Sequence, residues 1–200
     1  MTRIHPHRLQ PGHRPRVGEL RTLDGASIAL PDVHRVVHLQ FRRFAGCPVC
    51  KLHLRSFVQR HAELEAAGIL EVAVFHSSEE TLRQHQSGLP FALVADPGMA
   101  LYRAFGVERS LRSVLDPRAW RAIARGLSAF GAGRRPGEDA LGLPADFLIG
   151  RCGRVLACKY GEHADDQWSV DEVLAIAESF RGRHAKTTVG AFLQELAHDR

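Results

Sequence analysis

Two cysteines three positions apart, Cys47 and Cys50, stand where a strand-forming run gives way to a helix-forming one. Val36-Val37-His38-Leu39-Gln40-Phe41 is rich in β-branched and aromatic residues and reads as a strand. Gly46 breaks it, and Cys47-Pro48-Val49-Cys50 follows. From Cys50 to Ala67 the pattern is helical: Leu54, Phe57, Val58, His61 and Leu64 fall at helical spacing, and Gly68 sits where a C-terminal cap belongs. Pro48 falls where the first helical turn begins. A thiol at such a junction faces unpaired backbone N–H groups and the positive end of the helix dipole. Both favour thiolate over thiol. Arg42, Arg43 and Lys51 are near in sequence and add positive potential. A second thiol one turn further on is within reach of a disulfide. The spacing therefore makes Cys47 the outer, attacking sulfur and Cys50 the resolving one.

The remaining punctuation extends this unit into an α/β chain. Leu20 to Leu30, split by Asp24-Gly25, reads as a small hairpin with a two-residue turn. Ile69 to Phe75 is a second strand, and its continuous apolar run Val72 to Phe75 predicts burial on both faces. Ser77 with Glu80 forms a capping box that opens a short helix. Pro90 to Ala95 is a third strand, and Met99 to Phe105 a short helix stopped by Gly106. Asp116 and Pro117 open a helix that runs to Phe130. Asp146 to Ile149 and Val155 to Lys159 form a hairpin through Gly150-Arg151-Cys152-Gly153. Ser169 and Glu172 make a second capping box, for a helix to about Phe180, and a last helix is expected over Val189 to His198. This order predicts a mixed central sheet with helices on both faces, the order shared by thioredoxin-like domains. The chain is expected to be one domain over 1–200, with an irregular arm at 1–15 and a basic helical insertion at 107–142.

Charge looks at first like a nucleic-acid signal, because the formal net charge is +5. It is local. Between Arg103 and Arg135 eight arginines face two acids, Glu108 and Asp116, so this segment carries +6 and the rest of the chain −1. No nucleic-acid partner is expected. The chain has no apolar run of the roughly 18 residues a membrane span needs, and its first residues lack the apolar core of a secretory signal. The expectation is a cytoplasmic protein without a transmembrane segment, a setting in which paired cysteines do redox or metal chemistry.

Of those two chemistries the spacing favours redox. Cys152 and Cys158 do not repeat the C-x-x-C spacing, and no histidine pattern completes a zinc site, so no metal or other cofactor is expected. Cys152 in the hairpin turn and Cys158 on the next strand would not face one another and read as incidental free thiols. The twelve histidines are scattered without an H-E-x-x-H pattern. His53 alone lies near the dithiol, and reads as a half-exposed residue of the first helical turns. Pro144, directly before the strand Asp146 to Ile149, is the remaining candidate, since in a thioredoxin-like sheet the proline at this point is typically cis and packs beside the dithiol.

Phe41-Arg42-Arg43-Phe44-Ala45-Gly46-Cys47-Pro48-Val49-Cys50, with Leu89-Pro90-Phe91 to Asp96-Pro97, Leu101 to Gly106 and Leu143-Pro144 to Ile149, resembles the alkyl hydroperoxide reductase/thiol-specific antioxidant (AhpC/TSA) family. Within it the chain is similar to the peroxiredoxin-like branch that carries C-x-x-C. The resemblance covers about residues 15 to 180. It implies a thioredoxin fold, redox-active cysteines, a peroxide or disulfide substrate, and an external thiol reductant such as thioredoxin or glutathione; a homodimer is compatible with it. Ordinary peroxiredoxins carry Pro-x-x-x-Thr/Ser-x-x-Cys. Counted back from Cys47 those positions hold Phe44 and Gln40, and from Cys50 they hold Cys47 and Arg43, so neither register has the pattern. The arginine expected before the Phe147-Leu148-Ile149 strand is replaced by Pro144 and Ala145. A dithiol–disulfide reaction needs only an activated thiolate and a resolving partner. Two functions follow: a thiol-dependent oxidoreductase using Cys47 and Cys50, supported by Pro48, Pro144 and Arg43, or a redox-sensing module whose dithiol controls the basic helix.

Overall fold

Strand β3, Val36–Arg42, is buried along all of its length after the first residue. The reason is its place in the sheet. Strands β4, Ile69–Phe75, and β5, Ala92–Ala95, extend the sheet on one side in parallel. Strand β6, Ala145–Ile149, pairs antiparallel on the other side of β3, and β7, Val155–Tyr160, antiparallel to β6. The sheet order is β5-β4-β3-β6-β7. The computed structural model describes residues 8–86, 88–107, 115–131 and 142–182. The helix expected at 189–198, most of both flanks of the insertion and the first seven residues of the arm lie outside them.

Helices and loops cover both faces, as the order of elements predicts. On one face lie α1, Pro48–Gln59, α2, His61–Ala66, α3, Glu79–Gln86, and a helix α6 over 170–182, which contribute Leu54, Phe57, Leu64, Leu82, Val170 and Val173 to one core cluster. On the other, α4, Ala100–Ala104, joins the two-stranded hairpin of β1, Glu19–Arg21, and β2, Ser27–Ala29, around Phe41, Tyr102, Phe105 and Phe147. β4 alternates between them, Ala73 and Phe75 toward the first and Val72 and Val74 toward the second, so burial on both faces holds. None of the helices among the described residues is long and apolar enough to cross a membrane.

Several expected details change. The single helix expected from Cys50 to Ala67 starts at Pro48 and breaks at Arg60 into α1 and α2. The turn of the first hairpin spans 22–26 rather than two residues, closed by Thr22 N–H donating to the Ala26 carbonyl at 2.9 Å. The arm is irregular in its described part but tied to β7: Gly12 N–H donates to the Val155 carbonyl, and Val155 N–H to the His13 carbonyl, each at 2.8 Å. It thus occupies hydrogen-bonding groups of an edge strand.

A polar ladder runs through the first face. His38, Gln40 and Arg42 alternate along β3 and all point the same way, with Glu71 of β4 and Asp146 of β6 beside them, and all five are buried. Arg42 Nη2 pairs with Asp146 Oδ1 at 2.6 Å, and His38 Nδ1 with Glu71 Oε2 at 2.8 Å. Gln40 accepts from Arg42 and donates to Glu71, linking the two pairs. His53 of α1 approaches Arg42 Nη2 at 3.2 Å, and Trp168 N–H, just before α6, donates to Asp146 Oδ2 at 3.2 Å. The ladder therefore ties three strands to the helix that carries the dithiol. Burial and the Arg42 cation hold the His53 imidazole well below its usual range, so the ring is neutral and accepts.

Two predictions follow from the ladder. Asp146→Ala leaves the buried Arg42 without a carboxylate and His38 with Glu71 alone, and is expected to cost about 3–5 kcal/mol in denaturant unfolding; a loss below about 1 kcal/mol, the scale of an exposed pair, contradicts this account. For His38, burial lowers the pKa, but Glu71 and Asp146 outweigh it and raise it to about 9 from 6.5. A group raised on folding stabilises fully below its unfolded value and loses that contribution as pH rises through its folded one. In a Cys47→Ser background, stability should decline between pH 6.5 and 9, and His38→Gln should flatten that decline; an identical slope in both proteins overturns the assignment. The background matters because a thiol with a depressed pKa acts in the same window with the opposite sign.

Candidate active site

The chain leaves β3 at Arg42 and enters α1 at Pro48, at the carboxyl end of the strand where β4 and β6 diverge to either side. In open α/β sheets that end of such a strand is where ligand sites form. Two side chains hold the connecting loop. Ala45 N–H donates to Ser77 Oγ at 2.9 Å, and the Ala45 carbonyl accepts from Gln86 Nε2 at 2.6 Å. Ser77 therefore braces the dithiol loop and does not cap a helix. Ser78 caps α3 instead, its Oγ accepting from Thr81 N–H at 3.3 Å. Cys47 N–H closes the loop onto the Phe44 carbonyl at 3.0 Å.

Cys47 is the N-cap of α1, with an extended backbone (φ −62°, ψ 117°), and Pro48 takes the first turn, where no N–H is needed. The sulfur sits in the place a capping oxygen takes: Cys50 N–H donates to Cys47 Sγ at 3.4 Å. Arg43 Nη1 lies 3.8 Å from the same sulfur. Of the three cations near in sequence, Arg43 alone supports the thiol in this way. Arg42 turns to Asp146, and Lys51 lies over the Phe130 ring at 5.9 Å.

Both cysteines are free thiols, and both are buried; the expected outer sulfur, Cys47, has a relative exposure of 0%. Burial pushes the Cys47 thiol up, but hydrogen bonds from Cys50 and the Arg43 charge outweigh it and bring it down to about 7. Burial pushes Cys50 well above its usual range, and so do its hydrogen bond with Cys47 and the Cys47 charge. The two thiols are therefore unequal: near pH 7 about half of Cys47 is ionised, while Cys50 keeps its proton.

The basic insertion is part of the site. Its helix α5, Pro117–Phe130, begins and ends where Asp116, Pro117 and Gly131 place it, with Asp116 accepting from Arg118 N–H at 2.9 Å. Arg118, Arg121 and Arg125 are all exposed, as a solvated basic face requires. Ala119, Ala122 and Gly126 form the buried face. Ala122 belongs to the same core cluster as Cys47 and Cys50. Gly126 lies on the Pro48–Val49 peptide: a Cβ there would stand 2.8 Å from the Pro48 carbonyl carbon and 3.0 Å from Val49 N. Glycine inside a helix costs about 1 kcal/mol against alanine, and this close approach is its reason.

The other candidates fall elsewhere. The one cis peptide among the described residues is Leu30–Pro31, so the bond before Pro144 is trans, the ordinary preference of an X-Pro bond. Pro144 lies against Gly161, whose N–H donates to the Pro144 carbonyl at 2.9 Å as the chain enters β6. Cys152 is exposed in its turn, while Cys158 is half-buried with Sγ 3.4 Å from the Leu9 carbonyl. Among the described residues no group of three or more His, Cys, Asp and Glu could hold a metal ion.

The site is thus two unequal free thiols at the N-terminus of the helix that follows the central strand of a mixed sheet. A sequence model of the AhpC/TSA family matches residues 15–157, and the chain belongs to that family. Solved structures share the fold at low identity. Peroxidoxin BcpB from Mycobacterium tuberculosis superposes with a TM-score of 0.64 at 18% identity, covering 86% of this chain and 97% of that one. Bacterioferritin comigratory protein from Xanthomonas campestris gives 0.61 at 18%, covering 86% and 98%. A putative thiol:disulfide interchange protein DsbE from Chlorobium tepidum gives 0.56 at 22%, covering 84% and 99%. No curated protein matched the sequence.

Arg43 is the testable support of the thiolate. In Arg43→Met the midpoint of Cys47 alkylation should move from about 7 upward, and the first unit of rise cuts the thiolate fraction at neutral pH about fivefold. A midpoint that stays put removes Arg43 from the site.

Proposed function

We propose that this chain is a thiol-dependent oxidoreductase in which Cys47 attacks the substrate and Cys50 resolves the product. The observation that carries this is the inequality of the two thiols. Cys47 is lowered to about 7 at a helix N-terminus beside Arg43, while Cys50 one turn on is held protonated. Cys47 is thereby ready at neutral pH, and Cys50 keeps its proton until a covalent adduct removes the Cys47 charge.

With a peroxide, the Cys47 thiolate takes one oxygen as the O–O bond breaks, and the departing alkoxide or hydroxide collects a proton. Cys50 then loses its proton and attacks the Cys47 sulfur; an S–S bond forms and water leaves. With a disulfide, Cys47 forms a mixed disulfide and releases one thiol, and Cys50 displaces the second. Either route ends in a Cys47–Cys50 disulfide, which an external thiol such as thioredoxin or glutathione reduces. The solved relatives frame both substrates: the Xanthomonas protein is described by its alkyl peroxide reduction activity, the Chlorobium protein as a putative thiol:disulfide interchange protein.

Cys47→Ser should abolish turnover of both substrate types. Cys50→Ser should still react once and accumulate a sulfenic acid or mixed disulfide on Cys47, visible as a mass increase. Undiminished turnover by Cys47→Ser, read in a coupled assay with a thiol reductant, reverses the assignment.

A further inference from the structure

Cys47, the proposed attacking residue, has no exposed surface, and the helix laid on the peptide next to it is the insertion. α5 rests on the Pro48–Val49 peptide, one residue beyond Cys47, at Gly126; its buried residues are Ala119, Ala122 and Gly126, and the half-buried Ile123 packs against the same core cluster. Its polar and cation–ring attachments are at the surface. Arg118 Nη2 pairs with Glu162 Oε2 at 3.0 Å, and Phe130 is flanked by Lys51 and Arg55 with their charged groups 5.9 and 5.8 Å from its centroid. Such attachments are weak and screened by salt. The closest approach in the seated state is therefore at Gly126, where two backbones meet with no side chain between them.

We propose that α5 is the access filter of the dithiol and that Gly126 is the residue that determines its selectivity by size. The inference rests on the redox reading of Cys47. Every oxidant must reach Cys47 through a displacement of its cover, and the displacement grows with the oxidant. Hydrogen peroxide transfers a single oxygen and leaves as hydroxide. A disulfide must bring two sulfurs with their substituents to Cys47 and leaves one of them attached until Cys50 attacks. A cover closed at Gly126 thus slows bulky disulfides far more than small hydroperoxides. A side chain at 126, even a methyl, cannot occupy its 2.8 Å position and props the helix open. Alanine also favours the helix itself over glycine, so the substitution acts on the seat and not on the folding of α5. Ala122→Leu enlarges the same buried face one turn earlier.

The test uses the full chain with Cys152 and Cys158 replaced by serine, so that only the dithiol reports. Rates of Cys47–Cys50 disulfide formation are measured with hydrogen peroxide and with oxidised glutathione, alongside thermal melts to verify folding. Gly126→Ala and Ala122→Leu are each expected to raise the oxidised glutathione rate relative to the peroxide rate by about tenfold, the ratio that about 1.4 kcal/mol of relief represents. A rate ratio unchanged in folded variants overturns the filter. On the chain with glycine at 126, iodoacetamide and a polymer-linked maleimide are compared in native and denatured protein. Native protection much greater against the polymer supports the filter, and equal protection overturns it without any variant. A Cys47 that reacts with neither oxidant in any of the three proteins overturns the redox reading, and the filter with it.

Discussion

A buried thiol drawn toward ionisation is the constraint that the rest of this site depends on. Burial alone would keep Cys47 protonated, and two nearby partners reverse that: Cys50, through its thiol and its N–H at the start of α1, and the Arg43 guanidinium. Both have fixed positions. The N–H points at the sulfur because Cys47 is the cap of the helix, and Arg43 reaches it because the loop from Arg43 to Gly46 is braced by Ser77 and Gln86. The same electrostatics penalise a second negative charge beside the first, so Cys50 stays protonated while Cys47 is ionised. The proposed division of labour between an attacking and a resolving sulfur thus rests on position in one helical turn.

The direction of α1 depends in turn on the sheet behind it. Its apolar contacts, Leu54 and Phe57, are shared with α6 and the sheet. The polar ladder adds a directional tie, since His53 meets Arg42, Arg42 meets Asp146, and Asp146 accepts from the backbone before α6. Tyr102 secures the other face, donating to the Val74 carbonyl at 3.0 Å and to the Arg42 carbonyl at the end of β3. The strand end that launches the dithiol is therefore held from both faces of the sheet.

How much of this could be read from the chain depended on whether the cause was local. The boundaries of α5 follow from Asp116, Pro117 and Gly131, each acting on its own backbone, and they matched. The dithiol at a helix start was equally local. Ser77 against Ser78 was not decidable by pattern, because two adjacent serines precede the same helix and tertiary contact with Ala45 claims one of them. The ladder carried a signal that the strand pattern obscured: His38, Gln40 and Arg42 recur at a spacing of two inside a strand whose flanks are buried, which demands partners on neighbouring strands. That α5 lies on Pro48 was beyond sequence pattern, since a glycine inside a helical run marks a close approach without naming what approaches. The trans bond at Pro144 shows the reverse error, in which an expectation borrowed from fold analogy gave way to the ordinary preference of the peptide.

The central claim is that these two buried thiols form one redox unit with a fixed order of reaction. Intact-mass analysis and peptide mapping of the reduced chain, after stoichiometric addition of hydrogen peroxide and, separately, of oxidised glutathione, test it most directly. The expected product is a Cys47–Cys50 disulfide with at least one of the two oxidants, reversed by a thiol reductant. Persistence of both thiols with either oxidant, or oxidation confined to Cys152 and Cys158, would contradict it.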